Sequence, residues 1–363
     1  MGIRKTIIWQ AHEANLSGAN IAMVEYIKAL RDTYDFHVVL PHTGSMCKVL
    51  FTENIAFSVI HQYNLPLSSV SAVSKLRFII RTEIASRQLK GLVRQQNADL
   101  IFSNTLVSFL GGRVAYSLKK KHVWWIHEFG EEDFGFNIEK DPIRNVLKKT
   151  ALWSRMVICN SHAVARKFGF LWPKTDVRYL YQPVSYNIAS PQHVEKTSTF
   201  LMFGQISPGK GHLEVLKAVT MVNNNSSEFS LHIVGPCVNQ SYLDDIQQYI
   251  IDHGLESQVT IKVGFVSKED VLPFYDTLIV ASRAEAFGRV IVEANKAGLT
   301  AIVKNAGGAP ELINETNGFL YNSLTELADL LESRQLLPAS EMRANYDERT
   351  ELEKLKGWLA EII

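Results

Sequence analysis

Cysteine is scarce in this 363-residue sequence: only Cys47, Cys159 and Cys237, far apart and without a CxxC pair. So scattered and odd a set argues against a disulfide framework and against a zinc site, and fits a reducing compartment. Cys159 and Cys237 fall in or beside apolar runs, where a thiol serves as a small buried hydrophobe. Net charge is nearly absent too, at +1. The whole molecule is therefore no general polyanion binder and nucleic acid is not an expected partner, so any attraction to phosphate or membrane must come from local clusters. No apolar run approaches a membrane span, and the opening MGIRKTIIWQ lacks the long apolar stretch of a signal peptide. That opening does match an N-myristoylation pattern formally, yet the residues from Lys5 onward read as a core strand. Triplets such as Asn15-Leu16-Ser17 mean nothing without secretion. Low-complexity segments are missing, as are GxGxxG after the first strand and the GxxxxGK[ST] loop. These absences lead to the expectation of a soluble, cytoplasmic protein.

What is present is the composition of a globular chain, 46% hydrophobic and 21% charged, too long for one ordinary core. Short apolar runs at 5–11, 36–41, 98–104, 122–128 and 156–161 read as buried strands. Amphipathic segments such as 20–31 and 71–95 separate them, which predicts parallel βαβ units and a doubly wound sheet. A polar stretch at 185–199 interrupts the alternation. It then restarts with runs at 200–206, 229–235, 258–264, 277–282 and 300–305. The expected organisation is an α/β chain of two Rossmann-like domains facing a central cleft. An N-terminal domain covers 1–185, a linker 186–199, a C-terminal domain 200–340, and a helical segment 341–363.

Each candidate binding element falls just after an expected strand. Ser17-Gly18-Ala19-Asn20 forms a tight loop into a helix whose free N–H groups can hold an anion; an ordinary Ser- or Asn-capped turn reads equally well. FGQISPGKG places Gly204 at a strand end and Lys210 near a helix start. A cation there opposes the helix dipole unless an anion lies between. Gly307-Gly308 opens a third turn, suited either to close ligand approach or to helix–strand packing. EAFGRVIVEA (285–294) sets Glu285 in a loop and Glu293 more than a turn into the following helix. Two carboxylates buried close together repel and need partners. The hydroxyls of a sugar and of a ribose are suitable ones, with the N–H groups of Phe287, Gly288 and Arg289 left for phosphate or sugar oxygens.

EAFGRVIVEA followed by AGGAPELI and NGFLY resembles the retaining glycosyltransferase family 4, whose fold is GT-B. FGQISPGKG, LHIVG and the early SGAN loop are similar to further landmarks of that family, in the same order. The resemblance implies that Glu293 binds the donor ribose and that Glu285 binds the transferred sugar, helped by the backbone at Phe287, Gly288 and Arg289. It implies that Lys210 neutralises the pyrophosphate, that Gly204 and Gly18 approach it, and that His127 lies near the reaction centre. For His127, a core histidine at a strand end is the alternative. Gln205 departs from the family pattern, which has an Arg there, and so removes one expected cation. Tyr181-Gln182-Pro183 departs from the usual Asn-Gly turn.

The implied activity is metal-independent retaining transfer from a nucleoside-diphosphate sugar, with no other cofactor, to a saccharide or lipid-linked acceptor in cell-surface glycan or glycolipid synthesis. A sugar-nucleotide 2-epimerase and a non-catalytic nucleotide-sugar-binding subunit are the alternatives. The first wants acid–base carboxylates in the N-terminal half, where no convincing set is present; the second has only Gln205 in its favour. Segment 71–95 carries Lys75, Arg77, Arg81, Arg87, Lys90 and Arg94 among apolar residues. It reads either as a solvated helix face or as a peripheral contact with an anionic membrane, on the cytoplasmic side.

Overall fold

The computed structural model describes residues 4–61, 72–134, 138, 143–185, 199–222, 229–339, 342 and 344–363. The chain divides into two compact units, Met1–Pro183 with Glu348–Ile363, and Val184–Asp347. The expected linker, 186–199, lies outside the described residues up to 198, as does Gly2 of the N-terminal acylation pattern.

In the first unit the strands are β1 (Lys5–Gln10), β2 (Tyr34–Leu40), β3 (Ala56–Val59), β4 (Leu100–Asn104), β5 (Lys121–Ile126), β6 (Met156–Cys159) and β7 (Val177–Tyr179). They form one parallel sheet in the order β3-β2-β1-β4-β5-β6-β7. β1 shows why: its side chains alternate between two buried faces. Ile7 and Trp9 join one core with Phe102 and Trp125, and Trp9 stacks on Phe102 at 4.1 Å between ring centroids. Ile8 points to the other face, with Val39, Leu89 and Ile101. A sheet covered on both sides needs near-continuous apolar strands, which is the pattern of KTIIWQ and LIFSN.

The second unit holds β8 (Thr199–Phe203), β9 (Ser230–Gly235), β10 (Val259–Val263), β11 (Thr277–Val280), β12 (Thr300–Lys304) and β13 (Gly318–Tyr321). This sheet is parallel as well, in the order β10-β9-β8-β11-β12-β13. In both sheets the order reverses beside the first strand, at β1/β4 and at β8/β11. Doubly wound sheets place their ligands beyond the carboxyl ends of the strands at such a reversal.

Three strands escaped the sequence reading: β3, β7 and β13. Each is a short edge strand of three or four residues; β3 and β7 hold no buried residue, and the apolar run of β13, GFLY, is too short to stand out. The C-terminal segment also needs correction. It is expected as a helical segment over 341–363, but its helix is Glu348–Ile362, and Glu348–Ile363 is part of the first unit. Leu355, Leu359 and Ile362 enter the core of β1, β4 and β5. The buried Glu351 carboxylate accepts a hydrogen bond from the Tyr181 backbone N–H at 2.9 Å.

Candidate functional site

In the second unit the loops after β8 and β11 meet at the reversal of strand order. The backbone N–H of Arg283 donates to the Gly209 carbonyl at 2.9 Å and fixes the β11 loop against the short turn Pro208–Lys210. Gly211, which follows, has φ +76, and a Cβ there would stand 2.1 Å from the Ala281 carbonyl oxygen. Only glycine permits both that conformation and that approach. Lys210 is held beside the β11 loop as a result: its Nζ is 2.7 Å from Glu285 Oε2. Ser282 Oγ donates to the same oxygen at 2.9 Å.

Glu285 is pinned from the other side as well. Its carbonyl accepts from the Gly308 N–H at 2.7 Å. Gly307, at φ +70, lies so close that a Cβ would be 2.5 Å from that carbonyl oxygen. The paired glycines thus serve close packing of one loop backbone against another, at Glu285. The helix Arg289–Lys296 begins at Gly288, which is left-handed, and no side chain caps it. Phe287 is a core residue packed edge-on against Tyr346, so at this loop it can offer a ligand only its backbone.

Glu293 is buried on that helix and does not pair with Glu285's lysine. Its Oε1 receives Lys268 Nζ at 2.7 Å. The two carboxylates therefore have a lysine each, which answers their mutual repulsion. Lys210, Glu285, Gly288, Arg289 and Glu293 are gathered by these two loops and one helix. Gly204, at the β8 end, donates its N–H to the Val234 carbonyl, and open space lies where a side chain would be. Gln205 is exposed.

The first unit places Gly18 as the first residue of the helix Gly18–Leu30, after Ser17, which makes no side-chain cap bond. The expected Asn cap is not what Asn20 does: buried, it donates to the carbonyls of Glu13 and Asn15 and braces the loop. His127, just past β5, is half-buried, with its ring 4.2 Å from that of Trp125. Gln182 Nε2 donates to His127 Nδ1 at 2.6 Å. That nitrogen therefore carries no proton, and Nε2–H donates to Asn104 Oδ1 at 2.7 Å. Asn104 Nδ2 donates in turn to the Ala19 carbonyl at 3.0 Å, which links the histidine to the Gly18 turn. The neighbouring Glu128, also buried, accepts from the N–H groups of His127 and Leu106 at 2.7 and 2.6 Å. Burial and then the Glu128 charge hold the Cys159 thiol well above its ordinary pKa, as suits an inert core cysteine.

Residues 16–186 match the family described as Glycosyltransferase Family 4, and residues 186–352 match Glycosyl transferases group 1. This chain is a family 4 glycosyltransferase of the GT-B type. HepE of Anabaena, solved with UDP, superposes with a TM-score of 0.79 at 21% identity, over 98% of this chain and 100% of that one. TarM of S. aureus, solved with UDP, fondaparinux and an α-GlcNAc-glycerol, gives 0.75 at 13% identity, over 97% and 99%. Both are similarities of fold. Among curated proteins, the phosphatidylinositol N-acetylglucosaminyltransferase GPI3 subunit of Saccharomyces cerevisiae is 29% identical over 137 residues, 37% of this chain. The matched stretch spans only 29% of the length of that relative. An uncharacterized 41.2 kDa protein in the cps region of Klebsiella pneumoniae is 23% identical over 150 residues, 39% of this chain and 38% of that one.

Within the glycosyltransferase, Gly18 and His127 belong to the first unit and all other candidate residues to the second. Sequence reasoning did not find Lys268, Ser282 or the link from Gln182 to His127. Lys268 and Gln182 stand 25 and 55 residues from their partners, beyond any local spacing rule. The departure of Tyr181-Gln182-Pro183 from the usual turn falls at one end of the Gln182–His127 link.

Proposed function

We propose that this glycosyltransferase is retaining and moves a sugar from a uridine diphosphate donor to a saccharide or lipid-linked acceptor, without a metal ion. The observation that carries the reading is the pair of lysine-held carboxylates around the uncapped helix start at Gly288. One carboxylate, Glu285, faces the position of the transferred sugar; the other, Glu293, takes the ribose. Helix N–H groups and Lys210 receive the diphosphate. The acceptor hydroxyl attacks the anomeric carbon on the face that the diphosphate leaves. The bond from that carbon to the phosphate oxygen breaks, and the acceptor proton passes to a leaving phosphate oxygen. The protein contributes orientation and electrostatic stabilisation of the growing negative charge. UDP in the HepE and TarM structures supports the choice of base. The name of the yeast relative supports an acceptor of glycolipid type.

A panel of nucleotide sugars scored for nucleoside diphosphate release tests this reading. UDP release that depends on acceptor, with the anomeric configuration kept in the product, is the expected outcome. Release without acceptor together with a changed donor sugar would point to a 2-epimerase. No turnover with any donor would point to a binding subunit, for which the exposed Gln205 is the supporting feature.

The reading includes a peripheral contact with an anionic bilayer on the cytoplasmic side. Its support is the helix Ala72–Gln95, where Leu76, Ile79, Ile80 and Ile84 are all exposed and Arg77, Arg81, Arg87 and Arg94 are exposed beside them. No helix among the described residues is long and apolar enough to cross a membrane. Each basic side chain near an anionic surface contributes about 1 kcal/mol, lost as salt shortens the Debye length. Vesicles of anionic lipid are expected to sediment the protein at low salt and release it at high salt. Replacing Arg77, Arg81 and Arg87 by Glu should abolish sedimentation and leave UDP binding intact. Equal sedimentation of the triple variant and the wild type would remove the membrane from the account.

A further inference from the structure

Glu293 is 9% exposed, and a carboxylate so covered is costly unless a cation or donors meet it. Lys268 supplies the cation, at 2.7 Å from Oε1. It comes from a different element, the short turn Lys268–Asp270 beyond β10, whose start is fixed by Ser267 accepting from the Glu269 N–H. The other charged groups around this helix are placed differently. The turn Ala309–Leu312, which packs on it, carries Glu311, an anion. β12 ends in Lys304, which pairs with Glu214. Arg289 stands one turn earlier on the same helix. The ion pair with Lys268 occupies one oxygen of Glu293; Oε2 has no hydrogen-bond partner among the described residues.

We propose that Lys268 is a positioning residue for nucleotide recognition. By holding Oε1 it fixes the carboxylate plane, so that Oε2 is presented to a ribose hydroxyl. The inference rests on the assignment of Glu293 to the ribose made above and adds what sets that carboxylate. It is distinct from diphosphate binding by Lys210, whose partner is Glu285. A lysine serving only to neutralise a buried acid would stabilise the fold and leave discrimination between sugars of the nucleotide untouched. A positioning lysine alters that discrimination.

Calorimetric titration of the full chain with UDP and with 2′-deoxy-UDP separates these outcomes. The wild type is expected to bind UDP more tightly than the deoxy compound. Lys268→Met should lose tenfold or more in UDP affinity, and its ratio between the two nucleotides should fall towards one. Lys268→Arg, which keeps the cation, should restore much of both. If the Met variant does not fold by circular dichroism, Lys268→Gln gives the same comparison. Discrimination between the two nucleotides unchanged in a folded Met or Gln variant, whatever the UDP affinity, would overturn the proposal. So would tighter UDP binding, because the lysine would then be a competitor for Glu293 and not its support. Wild-type protein that ignores UDP, or binds it without regard to the 2′-hydroxyl, would instead count against the donor assignment itself.

Discussion

Glu293→Ala is expected to abolish measurable UDP binding. The substitution removes the acceptor for the ribose hydroxyls, and hydrogen bonds to a charged group are worth about 1.5–3 kcal/mol each. Two such bonds correspond to roughly a hundredfold to ten-thousandfold in affinity. It also strands Lys268, whose side chain is 21% exposed and loses its counter-charge. Glu293→Gln also removes the counter-charge but leaves Lys268 an oxygen to donate to, which limits local rearrangement. It keeps the size and one acceptor oxygen while removing the charge, and it should bind UDP weakly with a thermal midpoint close to that of the wild type. Calorimetry with a parallel melting curve checks both variants. Retained UDP affinity in a folded Ala variant would exclude Glu293 from the nucleotide site.

Lys210→Ala should act on turnover more than on binding. Its ammonium pairs with Glu285 at 2.7 Å, which sets the cation beside the loop that is proposed to receive the diphosphate. Negative charge on the diphosphate grows as the bond to the sugar breaks, so a fixed cation stabilises the transition state more than the bound donor. Loss of one such preorganised group costs on the order of a hundredfold to a thousandfold in kcat. The departure of Gln205 from the family's Arg sharpens the expectation, because Lys210 is then the cation the diphosphate depends on in this account. Steady-state kinetics with the best donor of the panel measures the split. A rise confined to KM would contradict the assigned role.

The sequence made the two parallel sheets legible because their central strands are buried on both faces and must be apolar throughout, as in KTIIWQ and TLIV. The edge strands β3, β7 and β13 were not legible, since each is only three or four residues long and its run is too short to stand out from a turn. The site was legible where its parts are local. Glycine turns after strands, and a carboxylate spacing within one loop and helix, are set by a few consecutive residues. It was not legible where the partner comes from another loop. Lys268 reads as an ordinary charge in VSKED, and only the register of β10 against β9, with β8 and β11 beyond, brings it to Glu293. The same holds for Gln182, which reaches His127 because β6 and β7 lie beside β5. The return of Glu348–Ile363 to the first unit likewise follows from a complementary core and from no local pattern.

The central claim, that the loops after β8 and β11 form the nucleotide site, is tested most directly by a crystal structure of this protein with UDP bound. The account predicts ribose hydroxyls within hydrogen-bond distance of Glu293, with Lys268 still against Oε1. It places the diphosphate between Lys210 and the helix start at Gly288. UDP well ordered elsewhere on the chain, with no part of it near Glu285 or Glu293, would contradict it.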